Sequence, residues 1–229
     1  MNELKNDLET ILKSIKQKAI EPDQKTEEEE MKELYAEIIN SHRIPQKYYD
    51  ADTKDYSFKK DSQIAGYLRN LKHNTKNGIG VFLNGVCGTG KTRFCYAILK
   101  RYIWTYIHAL NAHKCKFISF KGLQDSIINA DDKEQAKLTY AGYTLLIIDE
   151  FCVDGELTTS EKKNLLEILN IRNNNIPCGK PTVFTSNQSI TQIRKLAGEA
   201  IYDRIIGNCV IHEMNSKSRR TIENRIKLD

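Results

Sequence analysis

The chain has 229 residues, 40% hydrophobic and 28% charged, ordinary proportions for a soluble globular protein with one large core and a small extra module. No apolar run approaches the ~20 residues of a membrane span, and charge interrupts the apolar residues of the amino terminus, which excludes a signal peptide. The six cysteines (Cys87, Cys95, Cys115, Cys152, Cys178, Cys209) form no CxxC pair or zinc-spaced cluster, as expected in a reducing cytoplasm, and the net charge of +5 permits nucleic-acid contact without arguing for it.

In chain order, Leu4, Leu8, Ile11, Leu12 and Ile15 fall on one helical face, and Pro22 ends that pattern. Thr26 and Glu29 then have capping-box spacing, followed by an apolar stripe at Met31, Leu34, Tyr35 and Ile38. Residues 1–43 therefore read as a helical hairpin, either packed on the main domain or serving as a separate module that docks a partner. Residues 44–60, "IPQKYYDADTKDYSFKK", are polar and aromatic with little periodicity, and read as a linker. The main domain is expected over 61–229. It opens with a short helix in "DSQIAGYLRNLKHN", with Ile64, Leu68 and Leu71 inward.

Apolar β-type runs follow: "GIGVFLNG", "CKFISF", "TLLIIDE", "PTVFTSN" and "CVIHEM". Helices begin between them at Lys91, near Leu123, near Ser160 and near Thr191. Continuous apolar strands separated by helices predict an α/β fold, a five-stranded parallel sheet with helices on both faces.

"GVCGTGKT" completes the pattern G-x-x-x-x-G-K-[ST] after a strand and before a helix. In such a loop (Gly85, Val86, Cys87, Gly88, Thr89, Gly90, Lys91, Thr92) backbone N–H groups and the helix start cradle a phosphate. Lys91 would reach the β- and γ-phosphates of ATP, and the Thr92 hydroxyl would ligate Mg²⁺. Asp149 ends the buried run "LLIID", where open α/β sheets hold ligands, and would share the metal with Thr92. Glu150 would accept a proton from water attacking the γ-phosphate. Asn187, at the end of "PTVFTSN", would orient that water or cap the helix that follows.

These motifs together resemble the AAA+ P-loop ATPases: "GVCGTGKT" as Walker A, "LLIIDE" as Walker B and "TSN" as sensor 1. Within them the chain is most similar to DnaC/DnaI-type helicase loaders and the related IstB transposition ATPases, from about Ile44 to the C-terminus. The resemblance implies that Arg204 in "IYDRIIGNC" is an arginine finger and that Arg220 in "SKSRR" is the sensor 2 arginine, beside Arg219 where the family has tyrosine. With nine residues after Arg220, it also implies a truncated lid. The amino-terminal region has no cysteine, which resembles a helical module rather than the zinc-binding domain of DnaI-type loaders.

An arginine finger serves a neighbouring subunit's nucleotide, so the resemblance implies self-association through ATP sites, with ATP as a clamp and hydrolysis as its release. It further implies a replicative DNA helicase and single-stranded DNA as partners, and no membrane. Lys121, Lys133 and Lys137, in the long segment between the second and third strands, either meet DNA phosphates or lie on a solvated face. Three functions compete: a helicase loader, an IstB-like helper of DNA transposition, and a regulator that binds ATP with little turnover.

Overall fold

The computed structural model describes residues 26–173 and 179–215. Thr26 caps α1 (Glu27–Ser41): its hydroxyl accepts from the Glu29 N–H at 3.3 Å, and the Glu29 carboxylate accepts from the Thr26 N–H at 3.0 Å. Then come α2 (Gln63–Arg69), α3 (Leu71–Lys76), β1 (Gly80–Asn84), α4 (Lys91–Thr105), β2 (Cys115–Ser119), α5 (Phe120–Ile128) and α6 (Lys133–Gly142). The rest is β3 (Leu145–Asp149), α7 (Thr159–Asn173), β4 (Thr182–Ser186), α8 (Ile190–Ala197), α9 (Glu199–Asn208) and β5 (Cys209–Glu213).

The strands form one parallel sheet in the order β2-β3-β4-β1-β5. Their alternate residues feed two separate cores. Val81, Leu83, Leu145, Ile147 and Val183 pack with α1 to α4. Phe82, Leu146, Ile148 and Phe184 pack with α5, α7, α8 and α9. Side chains alternate across a strand, so a sheet covered on both faces needs apolar residues at every position. That is why these strands read as unbroken apolar runs. The fold is the expected α/β P-loop architecture.

Three expectations need correction. The one helix expected near Leu123 is two, α5 and α6, with Asp132 capping the second by accepting from the Gln135 N–H at 2.9 Å. The one helix expected after residue 61 is also two, meeting at Asn70. The boundary expected at residue 43 does not fall at a break in packing. Ile38, Ile39 and Ile44 share a core with Phe94, Ile98 and Ile103 of α4, and the Tyr35 ring meets Trp104 edge-on at 5.3 Å. The first expected helix, at Leu4 to Ile15, and the lid expected after β5 lie outside the described residues.

The linker is ordered by contact rather than by periodicity. Two 3-10 turns, Gln46–Tyr48 and Thr53–Asp55, lay it along α4. Tyr48 stacks on Tyr96 (centroids 4.7 Å apart), which stacks on Phe117 of β2 (4.2 Å). Arg93 donates to Asp50 Oδ1 at 2.9 Å and Asp55 Oδ2 at 3.0 Å, and the Asp50 carboxylate, with Asp55, raises the guanidinium pKa above its ordinary value. At the opposite end of the sheet, fully buried Arg172 donates to the carbonyls of Tyr143 and Pro181 (each 2.6 Å) and to Thr182 Oγ1 (2.8 Å). It thereby fastens the starts of β3 and β4 to α7.

Candidate active site

The loop from Gly85 to Gly90 joins the fully buried β1 to α4. Gly85 has φ 144°, and a Cβ there would stand 2.5 Å from the Met214 carbonyl oxygen, so no side chain fits. Gly90 caps α4 in the left-handed region, at φ 97°. The loop thus presents its backbone at the start of a helix, the arrangement that binds anions.

Lys91 reaches back under the loop and is 8% exposed. Its Nζ donates to Gly85 O (2.7 Å), Val86 O (3.0 Å) and Asn187 Oδ1 (2.9 Å). Two strand ends, β1 and β4, therefore converge on one cation. Thr92 Oγ1 donates to both Asp149 carboxylate oxygens, at 3.1 and 3.3 Å. A hydroxyl and a carboxylate this close are hard oxygen donors suited to Mg²⁺.

Thr185, in β4, organises the acidic end. Its hydroxyl donates to Asp149 Oδ1 and accepts from the Glu150 N–H at 3.0 Å. The Phe151 N–H donates to Thr185 O at 2.7 Å, and Ser186 Oγ donates to Phe151 O at 2.6 Å. These bonds hold Glu150 at φ 59°. A left-handed glutamate is a strained backbone position, and strain of this kind concentrates at functional sites.

The cleft these residues line holds about 200 Å³ and includes Lys91, Thr92, Asp149, Glu150 and Asn187. The structure thus brings those five predicted residues together. It adds Tyr48 and Arg93 to the wall. Tyr48 lies within the stretch "IPQKYYDADTKDY" and Arg93 directly follows Thr92, but neither residue type by itself signals a place on the cleft wall. A separate pocket is lined by Tyr56, Phe58, His212 and Met214, and Tyr56 OH donates to Gly90 O of the loop at 3.2 Å.

The remaining predicted residues lie elsewhere. Arg204 is on α9 and outside its own cleft; it donates to Asn170 Oδ1 at 2.5 Å and to Ala200 O at 2.7 Å. Lys121 and Lys133 are exposed at the starts of α5 and α6. Lys137 does not face solvent as the DNA reading requires: it is 5% exposed and ion-paired with Glu134 and Glu167, which ties α6 to α7. Arg219 and Arg220 lie outside the described residues.

Comparison with known proteins adds the family. The IstB-like ATP binding proteins match residues 24–226. No curated protein matches the chain in sequence. Among solved structures, DnaI superposes with a TM-score of 0.60 at 19% identity, covering 77% of this chain and 94% of that one. The DnaC helicase loader gives 0.56 at 21% identity, covering 75% of this chain and all (100%) of that one. A replication initiator DnaA, bound to AMPPCP and single-stranded DNA, gives 0.60 at 14% identity and covers 77% of this chain but 53% of its own. At these identities the structural likeness speaks for the fold.

Proposed function

Because the chain belongs to the IstB-like ATP binding proteins, we propose that it hydrolyses ATP and uses the cycle to load a replicative helicase onto single-stranded DNA. The observation that carries the chemistry is the convergence of Lys91, Asn187, Thr92, Asp149 and Glu150 on one cleft. The loader reading is supported by the near-complete coverage of the DnaI and DnaC chains. A second reading, a helper of DNA transposition, is favoured by the IstB-like family match over residues 24–226.

In this reading the loop amides and Lys91 bind the phosphates, and the γ-phosphate replaces the carbonyl and amide oxygens that Lys91 now contacts. Thr92 and Asp149 would hold Mg²⁺, which supplies charge neutralisation across the β- and γ-phosphates. Asn187 and Glu150 position a water. Its oxygen attacks the γ-phosphorus, its proton passes to Glu150, and the bond to the β–γ bridging oxygen breaks to leave ADP. Arg204 acts on the site of a neighbouring copy, which makes hydrolysis depend on assembly. Lys121 and Lys133 are the predicted cations that remain accessible to DNA phosphates.

Mixing Arg204→Ala with Lys91→Ala tests the assembly. One partner has an intact cleft and the other an intact finger, so the mixture should recover phosphate release that neither shows alone. No recovery under conditions where the unaltered protein assembles would remove the finger in trans. Pull-downs with ATP against the host helicase and against a transposase separate the two biological readings.

A further inference from the structure

On the ATP reading above, we infer that Tyr48 is a specificity-determining residue of the cleft: its hydroxyl donates to the third phosphate and so distinguishes a nucleoside triphosphate from the diphosphate left after hydrolysis. The residue belongs to the irregular stretch between α1 and α2, outside the phosphate loop and the strand ends that supply the rest of the site.

Tyr48 lines the catalytic cleft with Thr92, Asp149 and Glu150. A column of rings decides at which side it stands. Tyr48 stacks on Tyr96 with the ring planes 21° apart, and Tyr96 stacks on Phe117 with the planes 3° apart. Phe117 belongs to β2, which pairs with β3 so that Ser119 lies in register with Asp149. Burial pushes the Tyr96 phenol up to about 12, and Tyr48 and the Asp149 carboxylate add to the shift. The column therefore stands at the Asp149 side of the cleft. The rest of the stretch leaves that side: Arg93 holds Asp50 and Asp55, and the Phe58 ring meets His212 of β5 edge-on at 5.1 Å. Of residues 44–60, Tyr48 alone lines the catalytic cleft.

Thr92 and Asp149 form the oxygen pair suited to Mg²⁺, and a metal held there bridges the β- and γ-phosphates. The third phosphate thus falls at the side of the cleft that Tyr48 walls. The ring is engaged in stacking, while the hydroxyl has no hydrogen-bond partner among the described residues. A phenol carries one O–H donor, which a phosphate oxygen can accept.

The hydroxyl is also held in place. The Ala51 N–H donates to Tyr48 O at 3.1 Å, and Lys100 Nζ donates to Tyr49 O at 2.7 Å and Ala51 O at 3.0 Å. Side chains of α4 thus clamp the backbone on either side of Asp50, itself tied to Arg93. A positioned donor needs such support, because a loosely held one loses its contact. ADP has no third phosphate, so the contact ends when phosphate leaves. The stretch leading from α1 into the core then differs between the two nucleotide states.

Tyr48→Phe removes the hydroxyl and keeps the ring. Calorimetric titration of the full chain with Mg²⁺ and either ADP or the non-hydrolysable analogue AMPPCP reads the distinction. AMPPCP should bind the variant about tenfold or more weakly, the scale of one hydrogen bond to a charged group, while ADP binds as it does to the unaltered chain. The melting temperature without nucleotide should not move, since the stack remains. A ring that only packs would change neither nucleotide or weaken both alike; either result overturns the role of Tyr48 and leaves ATP binding standing. Tyr48→Leu, which removes ring and hydroxyl together, should lose the preference for AMPPCP at least as fully, and a leucine variant that keeps it would also overturn the role. Failure of the unaltered chain to bind either nucleotide would overturn this role and the ATP reading together.

Discussion

Lys91 Nζ donates to Asn187 Oδ1 at 2.9 Å, so the two side chains meant to face one phosphate already hold each other. The bond ties the start of α4, which follows β1, to the end of β4, the neighbour of β1 in the sheet. In the proposed mechanism one binds the phosphate and the other orients what attacks it, which makes the two residues separable by experiment.

Lys91→Ala should weaken a fluorescent ATP analogue by about 100-fold or more, because several charge-assisted contacts are lost together. Asn187→Ala should keep affinity within roughly tenfold yet lose about 10²–10³ in turnover, the usual cost of one positioned amide. Equal loss of binding in both would merge their roles.

Glu150→Gln should bind ATP and stop releasing phosphate, by about 10²–10⁴-fold, since an amide cannot take the proton. Sedimentation with ATP should then show a longer-lived assembly than the unaltered protein gives. Normal turnover in this variant would move the base to another group.

Truncation separates core from module. Removing residues 1–25 leaves in place the buried core of the described residues, which begins at Ile38, so the melting temperature should stay nearly unchanged. Removing residues 1–43 strips Ile38 and Ile39 from the core. At about 2–5 kcal/mol for each such side chain, the melting temperature should fall by roughly 10 °C or more, or the product should be insoluble. A pull-down with the chain from residue 26 then shows whether the first 25 residues carry the proposed helicase docking. Retention of the helicase would take that role away from them.

Acid should destabilise the fold before the carboxylates titrate. Burial is the main cause of a lowered pKa at His42, whose ring contacts Ala112 O at 3.3 Å, and at His212, beside Glu213. The unfolded chain therefore binds protons that the folded chain resists, and stability rises with pH through the histidine range. The melting temperature should drop from about pH 7.5 to about pH 5.5. Replacing both histidines with glutamine should flatten that drop; an unchanged slope would assign it elsewhere.

Strands and phosphate loop were legible because each has a strong local signature. A five-residue apolar run between helices admits few placements, and the glycine spacing before Lys91 admits fewer. What the sequence left open depends on contact partners. The stripe at Met31, Leu34, Tyr35 and Ile38 says that one face is covered, not that α4 covers it. Tyr48 and Arg93 join the cleft through a ring stack and two carboxylates, neither of which leaves a periodic trace. Lys137 reads as a surface cation until Glu167, on another helix, is placed against it.

The strand order also fixes a timetable. β1 lies between β4 and β5, with Val81 in register with Val183 and Val210. While the chain is being synthesised, residues 80–84 have no neighbour in the sheet until residues 182–186 have left the ribosome. The phosphate loop hangs from that strand. A nascent chain ending before β4 would expose an apolar strand and lack the Asn187 side of the grip, so nucleotide cannot stabilise it early. Pairing over such a separation is slow and leaves time for aggregation, so the newborn chain is exposed until β4 and β5 arrive.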